Sequence, residues 1–290
     1  MSSPKPKIAI IYDFDKTLCT RDMQEYTFIS KIGSNPKSFW SDCKDLAEKE
    51  SMDNTLAYMY QMLNKSKKSG NSIRREDFTV LGKSIKFYSG VKEWFRNIET
   101  IANEIGVTVE HYVISSGLKE IIEGCDIYKN FKEVYACEFY YDPSGVAVWP
   151  KNVINYTTKT QCLFRINKGV FNISDDTTIN EFKLDEERYM PFPNMIYIGD
   201  GITDVPCLKL VKKYGGHSIG VYNRSKKIVS EMMKDGRIDF VCKADYTKEK
   251  ELFNTVVEIM DWIRCNNCLV TKNSKDYKAA IKWKGEQNID

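Results

Sequence analysis

Four aspartates follow apolar runs of the sequence and could bind a divalent cation together: Asp13, Asp15, Asp200 and Asp204. Two like charges about 4 Å apart repel each other by about 4 kcal/mol at an effective dielectric constant of about 20. A cluster of carboxylates is therefore stable only where a cation neutralises it. Oxygen ligands without a nearby histidine or cysteine favour Mg²⁺. If the fold brings these four residues together, the sequence predicts a magnesium site.

A third apolar run, residues 107–114, also ends in polar side chains. Ser115 comes directly after it, followed by Ser116 and Gly117, and these residue types predict the start of a helix. In an open α/β sheet, ligands bind beyond the carboxyl ends of the strands. Polar clusters at three strand ends therefore predict one common site.

The elements that must position these residues are strands and helices in alternation. Residues 7–12 form a β-branched apolar run, typical of a strand buried in a parallel sheet. From about residue 20 to 87 the apolar residues recur at helical spacing, which predicts a compact helical module. Beyond it strands and helices alternate again, and residues 134–141 and 146–149 predict a hairpin. This order predicts a doubly wound, mostly parallel α/β sheet, interrupted by the helical module after its first strand.

Composition excludes several classes of protein. The chain has 290 residues, with 43 lysines and arginines against 40 aspartates and glutamates, and its charges are interspersed. We therefore expect neither a nucleic-acid surface nor a membrane-binding surface, since both need clustered positive charge. Two histidines leave general acid–base chemistry to carboxylates.

The nine cysteines are typical of reduced thiols, because no export signal is visible at the start of the sequence. We therefore expect a cytoplasmic protein. Cys265 and Cys268 form a lone C-x-x-C pair without the further ligands that a structural zinc site needs, so we expect no zinc there.

Four segments resemble, in family order, the motifs of the haloacid dehalogenase-like (HAD) superfamily of phosphohydrolases. DFDKTL at residues 13–18 resembles the first motif, D-x-D-x-T, and GDGITD at residues 199–204 resembles the fourth, G-D-G-x-x-D. VISSG at residues 113–117 is similar to the second motif, an apolar strand that ends in serine or threonine. The third motif is a lysine at the start of a helix, and Lys159 fits it best.

Within the superfamily the chain looks most like the phosphoserine phosphatase-like branch, which carries a helical C1-type cap between its first and second motifs. The resemblance implies a Rossmann-like α/β core made of residues 1–19 and 88–270, with an inserted helical cap domain at residues 20–87. Residues 271–290 are lysine-rich, and we expect a loosely ordered tail there. The sequence assigns no role to residues 170–193 and no oligomeric state.

The resemblance also implies roles for the aspartates. Asp13 would attack phosphorus and form an aspartyl-phosphate. Asp15 would protonate the leaving alcohol and then activate water, with its backbone carbonyl on the metal. Asp200 would bind Mg²⁺ directly, whereas Asp204 would support the ion or orient its waters.

Ser115 and Lys159 would hold the oxygens of the transferred phosphoryl group. Ser116 is an alternative to Ser115, but Ser115 comes directly after the strand. Lys168 is an alternative to Lys159, but it lies at the far end of the same predicted helix, away from the sheet edge. The helix start predicted near Gly117 would add backbone amides that favour an anion.

Substrate choice would depend on the cap and on the segment that joins it to the core. Asp22 falls where phosphoserine phosphatases have an acidic residue that meets the amino group of the substrate, and Arg21 and Gln24 are further candidates. Those phosphatases also hold the substrate carboxylate with an arginine in the middle of the cap. Here Arg74 and Arg75 lie near the end of the cap, and this departure argues against phosphoserine.

The sequence thus predicts a Mg²⁺-dependent phosphatase that hydrolyses a small-molecule phosphate monoester through an aspartyl-phosphate. An acid at Asp15 favours phosphate esters over halides, because a halide leaving group needs no proton. Two alternatives stay open. One is a phosphotransferase or phosphomutase, in which Asp13 passes its phosphoryl group to an acceptor other than water. The other is a catalytically silent HAD-like binding module.

Overall fold

The computed structural model describes residues 5–26, 28–70 and 72–286. One seven-stranded sheet lies at its centre. Its strands are β1 (Lys7–Tyr12), β2 (Thr108–Leu118), β3 (Phe131–Tyr141), β4 (Ala147–Asn152), β5 (Met195–Gly199), β6 (His217–Tyr222) and β7 (Phe240–Lys243). Their order is β4-β3-β2-β1-β5-β6-β7, and neighbours pair in parallel except in the predicted β3–β4 hairpin. The prediction of a mostly parallel α/β sheet is confirmed.

Helices connect the strands and cover the sheet. They are α1 (Phe28–Lys31), α2 (Pro36–Glu50), α3 (Asn54–Lys68), α4 (Arg75–Gly82), α5 (Val91–Ile105), α6 (Lys119–Glu123), α7 (Thr158–Lys168), α8 (Val205–Lys213), α9 (Lys227–Lys234) and α10 (Glu251–Glu286). Across residues 5–26, 28–70 and 72–286, none of these helices combines the length and the apolar character that crossing a membrane requires.

The first strand lies in the middle of the sheet because its side chains are apolar and can be buried on both faces. Ile8, Ile10 and Ile11 are fully buried, and β1 pairs with β2 on one side and β5 on the other. From β1 the chain builds β2, β3 and β4 outward and then returns to β5 on the opposite side. Such a reversal leaves a crevice beyond the carboxyl ends of the central strands.

Helices α1 to α4 lie between β1 and α5, where the sequence predicts the helical module. Two of them begin at capping side chains that satisfy first-turn amides. Asn35 accepts a hydrogen bond from the Ser38 N–H before α2, and Asp53 accepts from the N–H groups of Thr55 and Leu56 before α3. Helix α4 packs against α6 of the sheet-forming part. The division into core and cap at residues 20 and 87 stays a prediction.

The C-terminal helix α10 is 36 residues long and differs from the expected tail. Its first half buries Val256, Met260 and Ile263, whereas residues 271–283 are almost entirely exposed. The helix nevertheless continues across residues 270 and 271 without a break. Up to Glu286 the structure therefore has a regular helix where the sequence predicted a loosely ordered tail.

Parts of the predicted domains lie outside the described residues. These parts are residues 1–4 of the core, Thr27 and Asn71 of the cap, and residues 287–290 of the tail.

A buried hydrogen-bond chain joins β1, β2 and α5. The Trp94 indole N–H donates to the hydroxyl of Tyr12 at 2.7 Å, and that hydroxyl lies 2.9 Å from Nδ1 of His111. His111 is buried, and its ring packs edge-on against Phe95. Burial lowers the pKa of His111 to about 3, so its imidazole is neutral in the folded protein near pH 7.

We expect His111 to contribute less and less to stability as the pH falls from about 6.5 towards about 3. In this window His111 binds a proton in the unfolded chain but not in the folded one. Its contribution to the free energy of unfolding therefore falls by about 1.4 kcal/mol for each pH unit. Urea denaturation at several pH values measures the slope. The stability of His111→Gln relative to the unchanged protein should therefore rise as the pH falls, and a constant difference between the two proteins would contradict this role of His111.

Candidate active site

The ends of two neighbouring strands bring the first aspartates together. β1 ends at Tyr12, and the N–H of Asp13 donates to the carbonyl of Ile198 at 2.9 Å, which extends the β1–β5 pairing by one residue. β5 ends at Gly199, so Asp200 is the next residue at the same edge. Parallel pairing in register therefore places Asp13 and Asp200 side by side.

Lys159 lies at the centre of the site. It is in the first turn of α7 and is 1% exposed. Its Nζ donates to Oδ1 of Asp13 at 2.8 Å and to Oδ1 of Asp204 at 2.7 Å. Asp204 approaches closely because residue 199 is glycine: a Cβ there would lie 2.7 Å from Cγ of Asp204. One lysine thus joins the ends of β1 and β5 with α7.

Three of the four predicted metal ligands form an acidic cluster. One carboxylate oxygen each from Asp13, Asp200 and Asp204 lies within 4.8 Å of the other two. Opposite ligands of a Mg²⁺ ion with bonds of about 2.1 Å lie about 4 Å apart, so this oxygen-only set fits such an ion. The hydroxyl of Thr17 donates to Oδ1 of Asp200 at 3.2 Å and orients its carboxylate.

Asp15 lines the cleft that contains this acidic cluster, but its own carboxylate is not part of the cluster. Its Oδ1 accepts a hydrogen bond from the N–H of Met23 at 2.8 Å. Burial, followed by the negative charges of Asp22 and Asp13, raises the pKa of Asp15 well above its usual range. Its protonated form is therefore favoured. The predicted contact of its backbone carbonyl with a metal stays a prediction.

The acidic cluster has more carboxylates than positively charged groups, and this imbalance affects the pKa values of its members. Burial, and then the negative charge of Asp204, raises the pKa of Asp13 above its usual range although Lys159 opposes the shift. Burial, and then Asp13, raises the pKa of Asp200. Burial by itself would lower the pKa of Lys159, but Asp13 and Asp204 outweigh it and raise the pKa. When ionised, three carboxylates and one ammonium carry an excess of two negative charges. A divalent cation would neutralise this excess.

The segment 115–117 differs from its prediction. Ser115 lines the cleft and is buried as expected, and its Oγ accepts from the N–H of Gly117 at 3.0 Å. Ser115 and Ser116 do not cap a helix, because β2 continues to Leu118, whose N–H donates to Sδ of Met23, and α6 begins only at Lys119. A side chain at Gly117 would collide with Met23. The helix start predicted near Gly117 thus falls two residues later, at Lys119, and the prediction that its amides favour an anion stays a prediction.

The alternative lysine, Lys168, is engaged elsewhere. It lies at the far end of α7, and its Nζ donates to the carbonyls of Ile179 and Glu181. Arg165 donates in the same way to the carbonyls of Asn172 and Ile173. These two basic side chains hold the segment 170–193 against α7.

A cleft of about 560 Å³, here named the capped cleft, lies beyond the strand ends. Its sheet side includes Asp13, Asp15, Ser115, Ser116, Lys159 and Asp200. Its helical side includes Gln24, Trp40, Asn54, Thr55 and Tyr58. The Tyr58 hydroxyl donates to the Ser116 carbonyl at 2.7 Å, and the Asn155 amide donates to Asp53 at 3.1 Å. These two hydrogen bonds join the helical side of the cleft to its sheet side. The helical module therefore covers the aspartates.

The three predicted specificity residues have different positions. Asp22 lines the capped cleft but lies 2.6 Å from Nζ of Lys16, so its charge is paired within the chain. Gln24 also lines the cleft and is 2% exposed, and its Oε1 has no hydrogen-bond partner among the described residues. Arg21 is exposed and is not among the residues that line the cleft.

Three supporting residues were not predicted from the sequence. Thr17 is the threonine of D-x-D-x-T, so the motif itself was a signal. Tyr197, whose hydroxyl donates to Asp204 at 3.0 Å, is fully buried in β5, and a buried tyrosine hydroxyl needs a partner. The sequence did not indicate a role for Lys16. Its contact with Asp22 occurs together with a left-handed backbone conformation (φ 57°), which sequence patterns rarely predict.

The fold is similar to that of HAD-like hydrolases. The structure is similar to that of a HAD family hydrolase from Salmonella enterica serovar Typhi, with a TM-score of 0.58, 15% identity, and coverage of 89% of this chain and 72% of that chain. It is also similar to a substrate-bound phosphoserine phosphatase, with a TM-score of 0.54, 14% identity, and coverage of 82% and 93%. At these identities the likeness shows the fold.

The chain belongs to the family described as Putative Phosphatase, whose model matches residues 8–234. A Borreliella burgdorferi protein described as uncharacterized is 27% identical over 278 residues, which is 87% of this chain and 95% of that protein. The predicted resemblance to the phosphoserine phosphatase-like branch of the HAD superfamily is confirmed.

We expect Lys159→Met to lower the free energy of unfolding by about 3–5 kcal/mol, because it leaves two buried carboxylates without their counter-charge. Lys168→Met is the matched control. It removes hydrogen bonds from a half-buried lysine, so we expect a loss of about 1–2 kcal/mol. Urea denaturation of both variants measures the difference. Equal losses would contradict the central electrostatic role of Lys159.

Proposed function

We propose that this chain is a Mg²⁺-dependent phosphomonoesterase that transfers the phosphoryl group of a small ester to Asp13 and then to water. The observation that carries the proposal is the convergence of Asp13, Asp200 and Asp204 around the buried Lys159. Membership of a phosphatase family supports it. The covering helices also favour a small substrate, since a cleft of about 560 Å³ holds a metabolite rather than a folded protein.

In the first step a carboxylate oxygen of Asp13 forms a bond to phosphorus while the bond from phosphorus to the ester oxygen breaks. Lys159 holds Oδ1 of Asp13, which leaves Oδ2 to attack. The leaving alkoxide needs a proton. Asp15 can donate it, because its raised pKa favours the protonated form.

In the second step water attacks the aspartyl-phosphate, inorganic phosphate leaves, and the carboxylate of Asp13 is restored. Asp15, now deprotonated, accepts the proton of the attacking water. Ser115 and Lys159 would contact the oxygens of the phosphoryl group throughout. The covering helices would limit the access of bulk water to the intermediate.

The residues present fit a divalent cation. Asp13, Asp200 and the backbone carbonyl of Asp15 would hold Mg²⁺, and Asp204 would support it. When bound, the ion would neutralise charge on the phosphoryl oxygens. Thr17 fixes the carboxylate of Asp200 through its hydroxyl.

We expect the full chain to hydrolyse p-nitrophenyl phosphate in the presence of Mg²⁺, to lose this activity in EDTA and to regain it when Mg²⁺ is added. Nitrophenol and inorganic phosphate are measured together. Equal amounts identify hydrolysis, whereas nitrophenol in excess of phosphate identifies transfer to another acceptor. No product at high enzyme concentration would identify a silent binding module. Activity that is indifferent to EDTA would remove the metal from the proposal.

Asp13→Asn should reduce turnover at least about a thousandfold, because the amide cannot act as the nucleophile. Its similar shape should leave the thermal midpoint close to that of the unchanged protein. The matched control is Asp126→Asn, since Asp126 is exposed and pairs with Lys92 far from the cleft. We expect full activity from this control. Substantial turnover by Asp13→Asn would assign the nucleophile to another residue.

A further inference from the structure

The charged side chains of the capped cleft are paired within the chain. Apart from the aspartate cluster with Lys159, and from Asp15 beside it, these side chains are Lys16, Asp22, Lys44 and Asp53. Lys16 and Asp22 lie 2.6 Å apart, and Lys44 lies 3.5 Å from Glu48 of the same helix. Asp53 accepts hydrogen bonds from two amides of α3 and from Asn155. A charged group of a leaving alcohol would therefore compete with a partner that each of these side chains already has.

Two arginines of the helical module are also engaged outside the cleft, and the third, Arg21, is not among the residues that line it. Arg74 donates to the carbonyl of Ser144 at 2.6 Å. Arg75 pairs with Glu123 at 2.7 Å and with Glu138 at 3.4 Å. A substrate carboxylate therefore meets no guanidinium among the lining residues that the structure describes.

Asn155, Tyr58 and Ser115 are likewise engaged within the chain, but four other neutral polar side chains of the cleft show the opposite pattern. Asn54, Thr55 and Ser116 line it, and the structure records no hydrogen bond from their side chains within residues 5–26, 28–70 and 72–286. Gln24 is 98% buried, and its Oε1 has no partner in the same residues. A buried amide without a partner costs stability unless a ligand supplies the missing hydrogen bond.

These four side chains together offer both donors and acceptors, but no charge. An amide supplies two donors and an acceptor, and a hydroxyl supplies a donor and accepts as well. Their complement is a leaving group with several hydroxyls. Trp40 and Tyr156 add aromatic surface to the same cleft, which suits the C–H faces of such a chain or ring.

We propose that the leaving group is an uncharged polyhydroxylated alcohol, so that the substrate class is sugar or polyol phosphates, with Gln24 as a residue that determines specificity. This inference rests on the proposed phosphatase function and adds the identity of the alcohol. The neutral side chains pair with the hydroxyls, and the internal ion pairs stay intact. A carboxylate has no donor for Oε1 of Gln24, whereas a hydroxyl has one.

The test compares substrates that differ only in the leaving group, with the full chain and Mg²⁺. The kcat/KM is measured by phosphate release for glycerol 3-phosphate, glucose 6-phosphate, n-propyl phosphate and L-phosphoserine. We expect glycerol 3-phosphate to exceed n-propyl phosphate and phosphoserine by at least about tenfold, because a site that binds hydroxyls discriminates against analogues without them. Equal values for glycerol and propyl phosphate, or a preference for phosphoserine, would overturn the proposal.

p-Nitrophenyl phosphate separates this inference from the function on which it rests. If the enzyme hydrolyses p-nitrophenyl phosphate but does not prefer polyol phosphates, the proposed substrate class is wrong and the proposed phosphatase function still holds. If the aryl phosphate is not hydrolysed either, the proposed function fails and the substrate class with it.

Gln24→Leu tests the specificity residue directly. Leucine has a similar size but no amide, so the ratio of kcat/KM for glycerol 3-phosphate to that for n-propyl phosphate should fall about tenfold. The thermal midpoint should not fall, because the lost amide oxygen has no partner in the folded chain. The matched control Gln161→Leu changes an exposed residue of α7 and should leave the ratio unchanged.

Asn54→Ala is a second variant, at an exposed position at the start of α3. It should lower the same ratio in the same direction. If neither Gln24→Leu nor Asn54→Ala lowers the ratio, the neutral side chains do not bind hydroxyls and the proposal is wrong.

Discussion

A buried ammonium group between two carboxylates is the interaction on which the site depends. Lys159 lies within 3 Å of both Asp13 and Asp204, and neither Lys159 nor Asp204 is more than 1% exposed. Charges in such a place are stable only when each has its partner. The fold therefore has to deliver the start of α7, the end of β1 and the turn after β5 to one point. The third carboxylate, that of Asp200, exceeds what one lysine can balance, and this excess makes the site suited to a divalent cation.

The sequence predicts those parts of the fold and site that local patterns determine. The apolar runs before Asp13 and Asp200 are strong strand signals, and the carboxyl ends of neighbouring parallel strands must share an edge. Lys159 could be preferred to Lys168 because the two lie at opposite ends of one helix. Other features depend on contacts between distant segments. β2 passes through Ser115 and Gly117 because Met23 packs on that backbone, and nothing near residue 117 in the sequence indicates Met23.

The same limit applies to the residues expected to choose the substrate. The position of Asp22 in the sequence predicts a free carboxylate, but the structure pairs it with Lys16 through a left-handed turn. Side-chain pairing of this kind depends on torsion angles that the residue type does not determine. Once these pairs are known, the capped cleft has two regions, an acidic floor of aspartates and a wall with unpaired neutral polar side chains. Under the proposed function the floor would hold the phosphoryl group and its cation, and the wall would hold the alcohol.

The central position of β1 has a consequence for the synthesis of the chain. β1 leaves the ribosome before the other strands of the sheet, yet its partners β2 and β5 follow only about 100 and about 190 residues later. At roughly 5–20 residues per second, an apolar strand with two open edges waits on the order of ten seconds or longer for the second of them. Helices α1 to α4, whose contacts are local, can form in the meantime. The nascent chain therefore has its greatest exposure to aggregation, and its greatest need of a chaperone, before β5 is translated.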